Sequence, residues 1–367
     1  MAERSHTDLI KKAIAIRINE KLPYTNEMTK VKVNRVTATE FKAKNRHELP
    51  NESKTLFSQI MKSFKNPEKW KKNDRRPFKV KFINENAVDL GGPMRDAISN
   101  MCSEIMSDVL PLLKPTANNQ VGVNPGIDCY QINSKSAQTH MLNKFTFFGY
   151  LLGWSLRNMG GLAIDLPIAF WRRVIKGSEG QYTYTLEDLH EMDIFRADLL
   201  SKILSDAKTL LNDEIFASQY DGFTFEAAIN DAGQTEELCP GGSKIQLTRE
   251  NASEFVELYL AKLTELDALQ FERVSLAIED CVGKRMLKQL TPEIASSRTC
   301  SKAEITPDAF KNAVKFKARE DSEDERNWHK WFWDIFRNDM SKHDRMLALK
   351  FMSGNSRINQ GQQYAIY

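Results

Sequence analysis

The chain of 367 residues contains no closely spaced cysteine pair. Cys102, Cys129, Cys239, Cys281 and Cys300 are odd in number and far apart. That spacing argues against a disulfide scaffold or a structural zinc site, and points to reduced thiols in a cytoplasmic or nuclear setting. The six histidines, His6, His47, His140, His190, His329 and His343, show no HExxH or paired spacing. No GxGxxG, P-loop or GxSxG occurs, so neither cofactor nor metal is expected. Charge of neither sign dominates: 52 basic residues against 49 acidic leave +3. That balance argues against a nucleic-acid partner. One local exception, Lys62 to Lys81, reads as a solvated face, with a phosphate-binding patch as the alternative. Long apolar runs are also lacking, since Phe145 to Trp154 is too short to span a bilayer, and no membrane partner is expected. Met1 to Thr7 is polar and Lys11, Lys12 and Arg17 follow, so no signal peptide is expected.

What is present is ordinary globular composition, 41% hydrophobic and 28% charged, in a length sufficient for two or three domains. Residues 1 to 52 read as a polar lead-in with one amphipathic helix, Leu9 to Ile18. Phe78, Val80 and Phe82 alternate with Lys79 and Lys81, as in a strand with one buried face. After Asp89-Leu-Gly-Gly-Pro, the residues Met94, Ala97, Ile98, Met101, Ile105 and Val109 recur at helical spacing. An apolar helix is expected from His140 to Met159, stopped by Gly160 and Gly161. Pro167 opens a shorter helix ending at Gly177, and Thr185-Leu-Glu-Asp starts a third. Residues 212 to 247 read as a small sheet. Asn251-Ala-Ser-Glu254 suggests a capping box before a helix bearing Phe255, Leu258, Tyr259, Leu263 and Leu266. Ala268 to Val282 forms the next helix, ending at Gly283, and Thr306-Pro307 caps another. Lys317 to Arg326, densely charged, reads as an exposed linker. Trp328, Phe332, Ile335 and Phe336 then mark the buried face of a final large helix. The fold class is mixed α+β, mostly helical.

The segments Phe78-Lys-Val-Lys-Phe, Asp89-Leu-Gly-Gly-Pro, Phe145-Thr-Phe-Phe-Gly-Tyr-Leu-Leu-Gly-Trp and Leu186-Glu-Asp-Leu with Asp193 occur in order. Glu237-Leu-Cys-Pro-Gly-Gly-Ser, Thr299-Cys-Ser-Lys-Ala-Glu-Ile, Trp331-Phe-Trp and Phe351-Met-Ser-Gly-Asn-Ser-Arg follow. Their succession from residue 53 to Tyr367 resembles the HECT domain of ubiquitin ligases, and Leu110-Pro-Leu-Leu-Lys-Pro-Thr-Ala-Asn-Asn resembles the large HERC branch. Asn84-Glu85 departs from the Gly-Glu common in that family. The resemblance implies a bilobal architecture: an N-terminal lobe over 53–316, a charged hinge over 317–326, and an incomplete C-terminal lobe over 327–367. Within the first lobe, 195–265 would include the subdomain that docks a ubiquitin-conjugating enzyme carrying ubiquitin. By position in the family motif, docking residues would be Phe255, Tyr259, Leu200 and Ile203. From helical spacing alone Phe255 and Tyr259 read as core.

The implied activity is ubiquitin-protein ligation. Ubiquitin passes from the conjugating enzyme to a ligase cysteine as a thioester, then to a substrate lysine. The family nucleophile is expected some tens of residues beyond Tyr367, so none of the five cysteines is expected to be catalytic. Cys300 is the nearest suspect, but its segment resembles the end of the N-terminal lobe. The alternative is a non-catalytic interaction or structural module derived from this fold. On either reading the aromatic cluster Trp328, Trp331, Trp333 and Phe336 is expected to need cover from the first lobe or another protein.

Overall fold

The computed structural model describes residues 29–38, 54–64, 76–85, 91–177, 182–209, 212–228, 235–301, 305–316, 323–353, 357–358 and 364–366. The expected helix Leu9 to Ile18, the basic residues Lys65 to Arg75 and the charged stretch 317–322 lie outside those residues. The protein is mixed α+β and mostly helical, with four two-stranded pairs among the described residues.

The polar lead-in contributes a strand, β1 (Thr29–Val33), ahead of helix α1 (Leu56–Ser63) and strand β2 (Phe78–Phe82). Both strands alternate apolar and basic residues and lie parallel, with Val31 opposite Val80 and Val33 opposite Phe82. Period-two alternation puts Val31, Val33, Phe78, Val80 and Phe82 on the buried face and the lysines away from it. At Asn84 the backbone turns through φ 65°, a left-handed conformation that glycine adopts without cost and asparagine tolerates. Helix α2 (Gly92–Ile105) buries Met94, Ala97, Ile98, Met101 and Ile105. It ends at Ile105, so Val109, expected in the same stripe, lies beyond the helix. Strand β3 (Leu113–Pro115), the short helix α3 (Ala117–Val121) and strand β4 (Tyr130–Ile132) follow, β3 and β4 being antiparallel.

Helix α4 (Thr139–Asn158) runs through the middle of this main core and is apolar around most of its circumference, as a helix covered on all sides must be. Met159, at φ 54°, ends it in a left-handed cap. Helices α5 (Ile168–Gly177), α6 (Leu186–Met192), α7 (Ile194–Thr209) and α8 (Asp213–Gln219) come next. Helix α8 corrects the expectation of a sheet throughout 212–247: Asn212 caps it through Oδ1 to the Ile215 amide at 2.8 Å, with Asp213 and Glu214 in its first turn. β5 (Glu226–Ala228) and β6 (Thr235–Glu237), an antiparallel pair, and the isolated antiparallel bridge between Thr224 and Gln246 meet that expectation.

Helix α9 (Ala252–Glu265) starts without the predicted capping box. Asn251 instead turns backwards, accepting the Thr248 amide at 2.7 Å and donating to the Gln246 carbonyl at 2.9 Å. Helices α10 (Ala268–Val282), α11 (Lys284–Leu287) and α12 (Pro292–Thr299) complete the main body. The α4–α10 crossing is close because Gly149 and Gly153 face Val274, Ala277 and Cys281. Tyr150 donates to Asp280 at 3.0 Å beside it.

A third core gathers α13 (Pro307–Ala313), β7 (Val314–Phe316), α14 (Glu323–Asn338) and α15 (Lys342–Ser353). Strand β7 pairs in parallel with β8 (Tyr364–Ile366). The charged stretch is thus helical from Glu323 onward, and α14 is not the final helix. Phe310 of α13 stacks on Phe336 at 4.2 Å and meets Trp333 edge-on at 6.0 Å. Part of the cover for the aromatic cluster therefore comes from the chain's own residues just before the charged stretch. The buried face of α14 is Phe336 flanked by Phe332 and Trp333, whereas Trp328 and Ile335 are 46% and 47% exposed. The helix turns Trp328, Trp331 and Ile335 outward together, because they recur three and four residues apart.

Candidate partner-docking site

A second, separate core is built by α6 to α9 and the β5–β6 hairpin. Its attachment starts at Thr185, which caps α6 in a reciprocal box with Asp188: Asp188 N donates to Thr185 Oγ1 at 3.2 Å and Thr185 N to Asp188 Oδ2 at 2.8 Å. Asp188 is wholly buried and also holds Arg172 of α5 and the Tyr182 hydroxyl. Buried Asn118 fixes the corner between α6 and α7. Its Nδ2 donates to the carbonyls of Pro125 and His190, and its Oδ1 accepts the Ile194 amide at 2.8 Å. Asp193 continues the corner by accepting the Arg196 amide at 3.1 Å.

These fixings set the direction of α7, which presents apolar residues on two faces. Ala197, Leu200 and Ile203 point inward, while Phe195 is 62% and Leu199 41% exposed. The four residues singled out from the family motif meet in the inward core: Leu200, Ile203, Phe255 and Tyr259 are 1%, 0%, 2% and 8% exposed. Phe225 packs edge-on against Phe255 at 5.4 Å, and Phe255 lies 5.9 Å from Tyr259. Arg196 lies over the outer side of Tyr259 at 6.0 Å and donates to the Ala228 carbonyl. Burial raises the Tyr259 hydroxyl above its ordinary pKa, an effect that Arg196 opposes. Sequence reasoning missed Phe195 and Leu199. Their spacing of four, out of phase with Leu200 and Ile203, was the available signal.

The Leu238-Cys-Pro-Gly-Gly-Ser turn closes the rim beside β6. A Cβ on Gly242 would stand 2.4 Å from the Phe225 carbonyl oxygen, so only glycine admits this approach. Glu237 folds over the turn, accepting the Gly241 amide at 3.0 Å, the Ser243 amide at 3.2 Å and the Ser243 hydroxyl at 2.5 Å.

The five thiols sit in different surroundings. Burial pushes Cys102, Cys129 and Cys300 up to about 12, and the carboxylates around Cys129 add to the effect. Cys281 is buried at the α4–α10 crossing, with Sγ 3.9 Å from the Tyr150 carbonyl oxygen. Cys239 sits half-buried in the turn, its carbonyl accepting the Gly242 amide at 2.9 Å. Among the described residues no group of three or more His, Cys, Asp or Glu side chains could hold a metal ion, and no helix is long and apolar enough to cross a membrane.

Comparison with known proteins places this arrangement. The chain is 26% identical over 332 residues to the E3 ubiquitin-protein ligase HERC2 of Mus musculus and to that of Homo sapiens, covering 89% of itself and 6% of each relative's length. It is 22% identical over 285 residues to the E3 ubiquitin-protein ligase pub1 of Schizosaccharomyces pombe, covering 76% of itself and 34% of that protein. A family profile described as HECT-domain (ubiquitin-transferase) matches residues 99–361, which include residues of all three cores, and the chain belongs to that family.

Proposed function

We propose that this chain serves a HECT-type ubiquitin ligase as the part that receives a ubiquitin-conjugating enzyme, through the subdomain built by α6 to α9. The observation that carries the reading is the two-faced helix α7. Leu200 and Ile203 pack with Phe255 and Tyr259 into a firm wall, and that wall holds Phe195 and Leu199 toward solvent. Exposed apolar side chains on a rigid element suit an anchored partner contact. On this reading the four buried residues set the shape of the docking surface, and Phe195, Leu199 and the Arg196-covered edge of Tyr259 supply contacts.

The reaction proposed for the whole ligase is a double transfer. A ligase thiolate attacks the ubiquitin thioester and expels the conjugating-enzyme thiolate; a neutral substrate lysine amine then attacks the new thioester, expels the ligase thiolate and gives up one proton as the isopeptide bond forms. Burial, which raises Cys102, Cys129 and Cys300, favours assigning that thiolate to none of those three, and Cys281 is enclosed at the α4–α10 crossing. The same observation favours a second reading, a docking module with no transfer chemistry of its own. Free rather than paired cysteines support a cytoplasmic setting.

One experiment tests both. The chain is mixed with conjugating enzyme charged with labelled ubiquitin, and both binding and thiol-sensitive adducts are recorded. Binding that falls roughly tenfold in Phe195→Ala or Leu199→Ala, with no adduct on the chain, is expected. Equal affinity in both variants would sink the docking surface, and a thiol-sensitive ubiquitin adduct would overturn the assignment of the cysteines. Phe255→Ala is the poorer probe, since removing a buried ring costs about 3–5 kcal/mol of stability before docking is touched.

A further inference from the structure

The apolar side chains of the third core, among them Ile305, Phe310, Phe336 and Leu349, form a cluster separate from the main core. Polar contacts join the two. Arg95 donates to the Ser353 carbonyl at 3.0 Å, at the C-terminal end of α15 where the helix dipole favours a cation. Lys350 lies 3.9 Å from Asp96, which also takes Arg35 at 3.0 Å. Arg357 reaches deepest. Its Nη1 donates to Asp165 Oδ2 at 2.6 Å and to the Ser301 carbonyl at 3.4 Å. Ser301 N in turn donates to the Leu162 carbonyl at 2.9 Å, so this arginine touches two segments of the main body that are already tied to each other.

We propose that Asp165 and Arg357 form a releasable ionic latch that seats the third core on the main core, so that α15 loosens when the pair is broken while the main core stays folded. The two side chains are 24% and 19% exposed. That is dry enough for the attraction to exceed that of a surface pair, yet open enough for salt to reach it. A polar junction between bodies with separate cores is the kind that permits relative motion. The latch is independent of the ligase reading and of the docking surface, neither of which involves Asp165 or Arg357.

Hydrogen exchange on the whole chain tests it, comparing residues 342–353 with residues 139–158. Arg357→Gln and Asp165→Asn should each speed exchange in 342–353 about tenfold, the loss of one charged hydrogen bond, and leave 139–158 unmoved. Asp165→Arg combined with Arg357→Asp should bring exchange most of the way back. In the unmodified chain, added salt should speed 342–353 and not 139–158. Unchanged exchange in 342–353 for both single variants would overturn the latch. So would an equal rise in 139–158, which would make the pair a support of the whole fold. Should the variants fail to fold, the salt series on the unmodified chain decides: no response in 342–353 overturns the proposal.

Discussion

Arg173 Nη1 lies 2.6 Å from Asp267 Oδ1, with both side chains nearly sealed from water. The same guanidinium donates to the Thr264 carbonyl at 2.8 Å and to the Tyr184 hydroxyl at 3.0 Å, and covers the Phe271 ring at 3.9 Å. One side chain on α5 therefore joins the end of α9 to the start of α10, which is where the second core meets the main body.

Removing one partner strands the other in a dry site. Arg173→Ala is expected to lower unfolding free energy by about 3–5 kcal/mol. Arg173→Lys should recover only part of that loss, because an ammonium lacks the planar fork that serves several acceptors at once. Replacing both partners with apolar residues, Arg173→Met with Asp267→Leu, should cost less than Arg173→Ala alone. Urea unfolding of the wild type, Arg173→Met, Asp267→Leu and their double measures the coupling. Additive single and double losses would show that the pair does not act as a unit.

The α4–α10 crossing gives an opposite-sign pair of predictions. A Cβ on Gly149 would sit 2.5 Å from the Val274 carbonyl oxygen and 2.7 Å from the Ala277 Cβ. Helix propensity alone favours alanine by about 1 kcal/mol, yet overpacking costs about 1–3 kcal/mol. Gly149→Ala should therefore lower the melting temperature. Gly92, at the start of α2, meets nothing within 4 Å and has an ordinary φ, so Gly92→Ala should hold or raise it. A thermal melt in which Gly149→Ala is the more stable variant would refute the close-packing account.

Local chemistry was legible in the sequence wherever one short stretch decides the outcome. Thr185 caps α6, Thr306 caps α13 ahead of Pro307, and α10 stops at Gly283, each as its residue types require. The reading failed where two local options compete or distant chain decides. Asn251 had a helix ahead of it and a turn behind it, and the turn to Thr248 won. Helix α14 has enough aromatic residues for two faces, and which one is buried depends on Phe310. Strand β1 needed the parallel partner β2, far along the chain, before Val31 and Val33 read as core. The family motif singled out Phe255 and Tyr259, but it could not tell that they would be roofed by Phe225 and Arg196.

Thiol chemistry separates the cysteines by environment. Burial pushes the Cys300 thiol up to about 12, so at neutral pH it stays protonated and unreactive. Brief alkylation of the native protein should therefore spare Cys102, Cys129 and Cys300, and label Cys239 first, from its half-exposed turn. Peptide mass spectrometry reads the order directly. Early modification of Cys300 would show an open, activated thiol and return it to candidacy as a nucleophile.

The Glu237 carboxylate offers a pH-dependent test of the turn that closes the second core. Its hydrogen bonds from the Ser243 hydroxyl, the Ser243 amide and the Gly241 amide hold it below the ordinary glutamate value of 4.5. A depressed carboxylate pKa means the folded turn binds its proton less readily than the unfolded chain. Its contribution is therefore fully present above 4.5 and lost as pH falls through the lower, folded value. Amide resonances of Gly241 and Ser243 should titrate together with a midpoint below 4.5, and the turn should loosen on the acid side. In Glu237→Gln both titrations should vanish, while Gly242, bonded to the Cys239 carbonyl, keeps its shift at neutral pH. If the two amides titrate unchanged in Glu237→Gln, another acid governs the turn, and the rim of the second core is held by something other than this carboxylate.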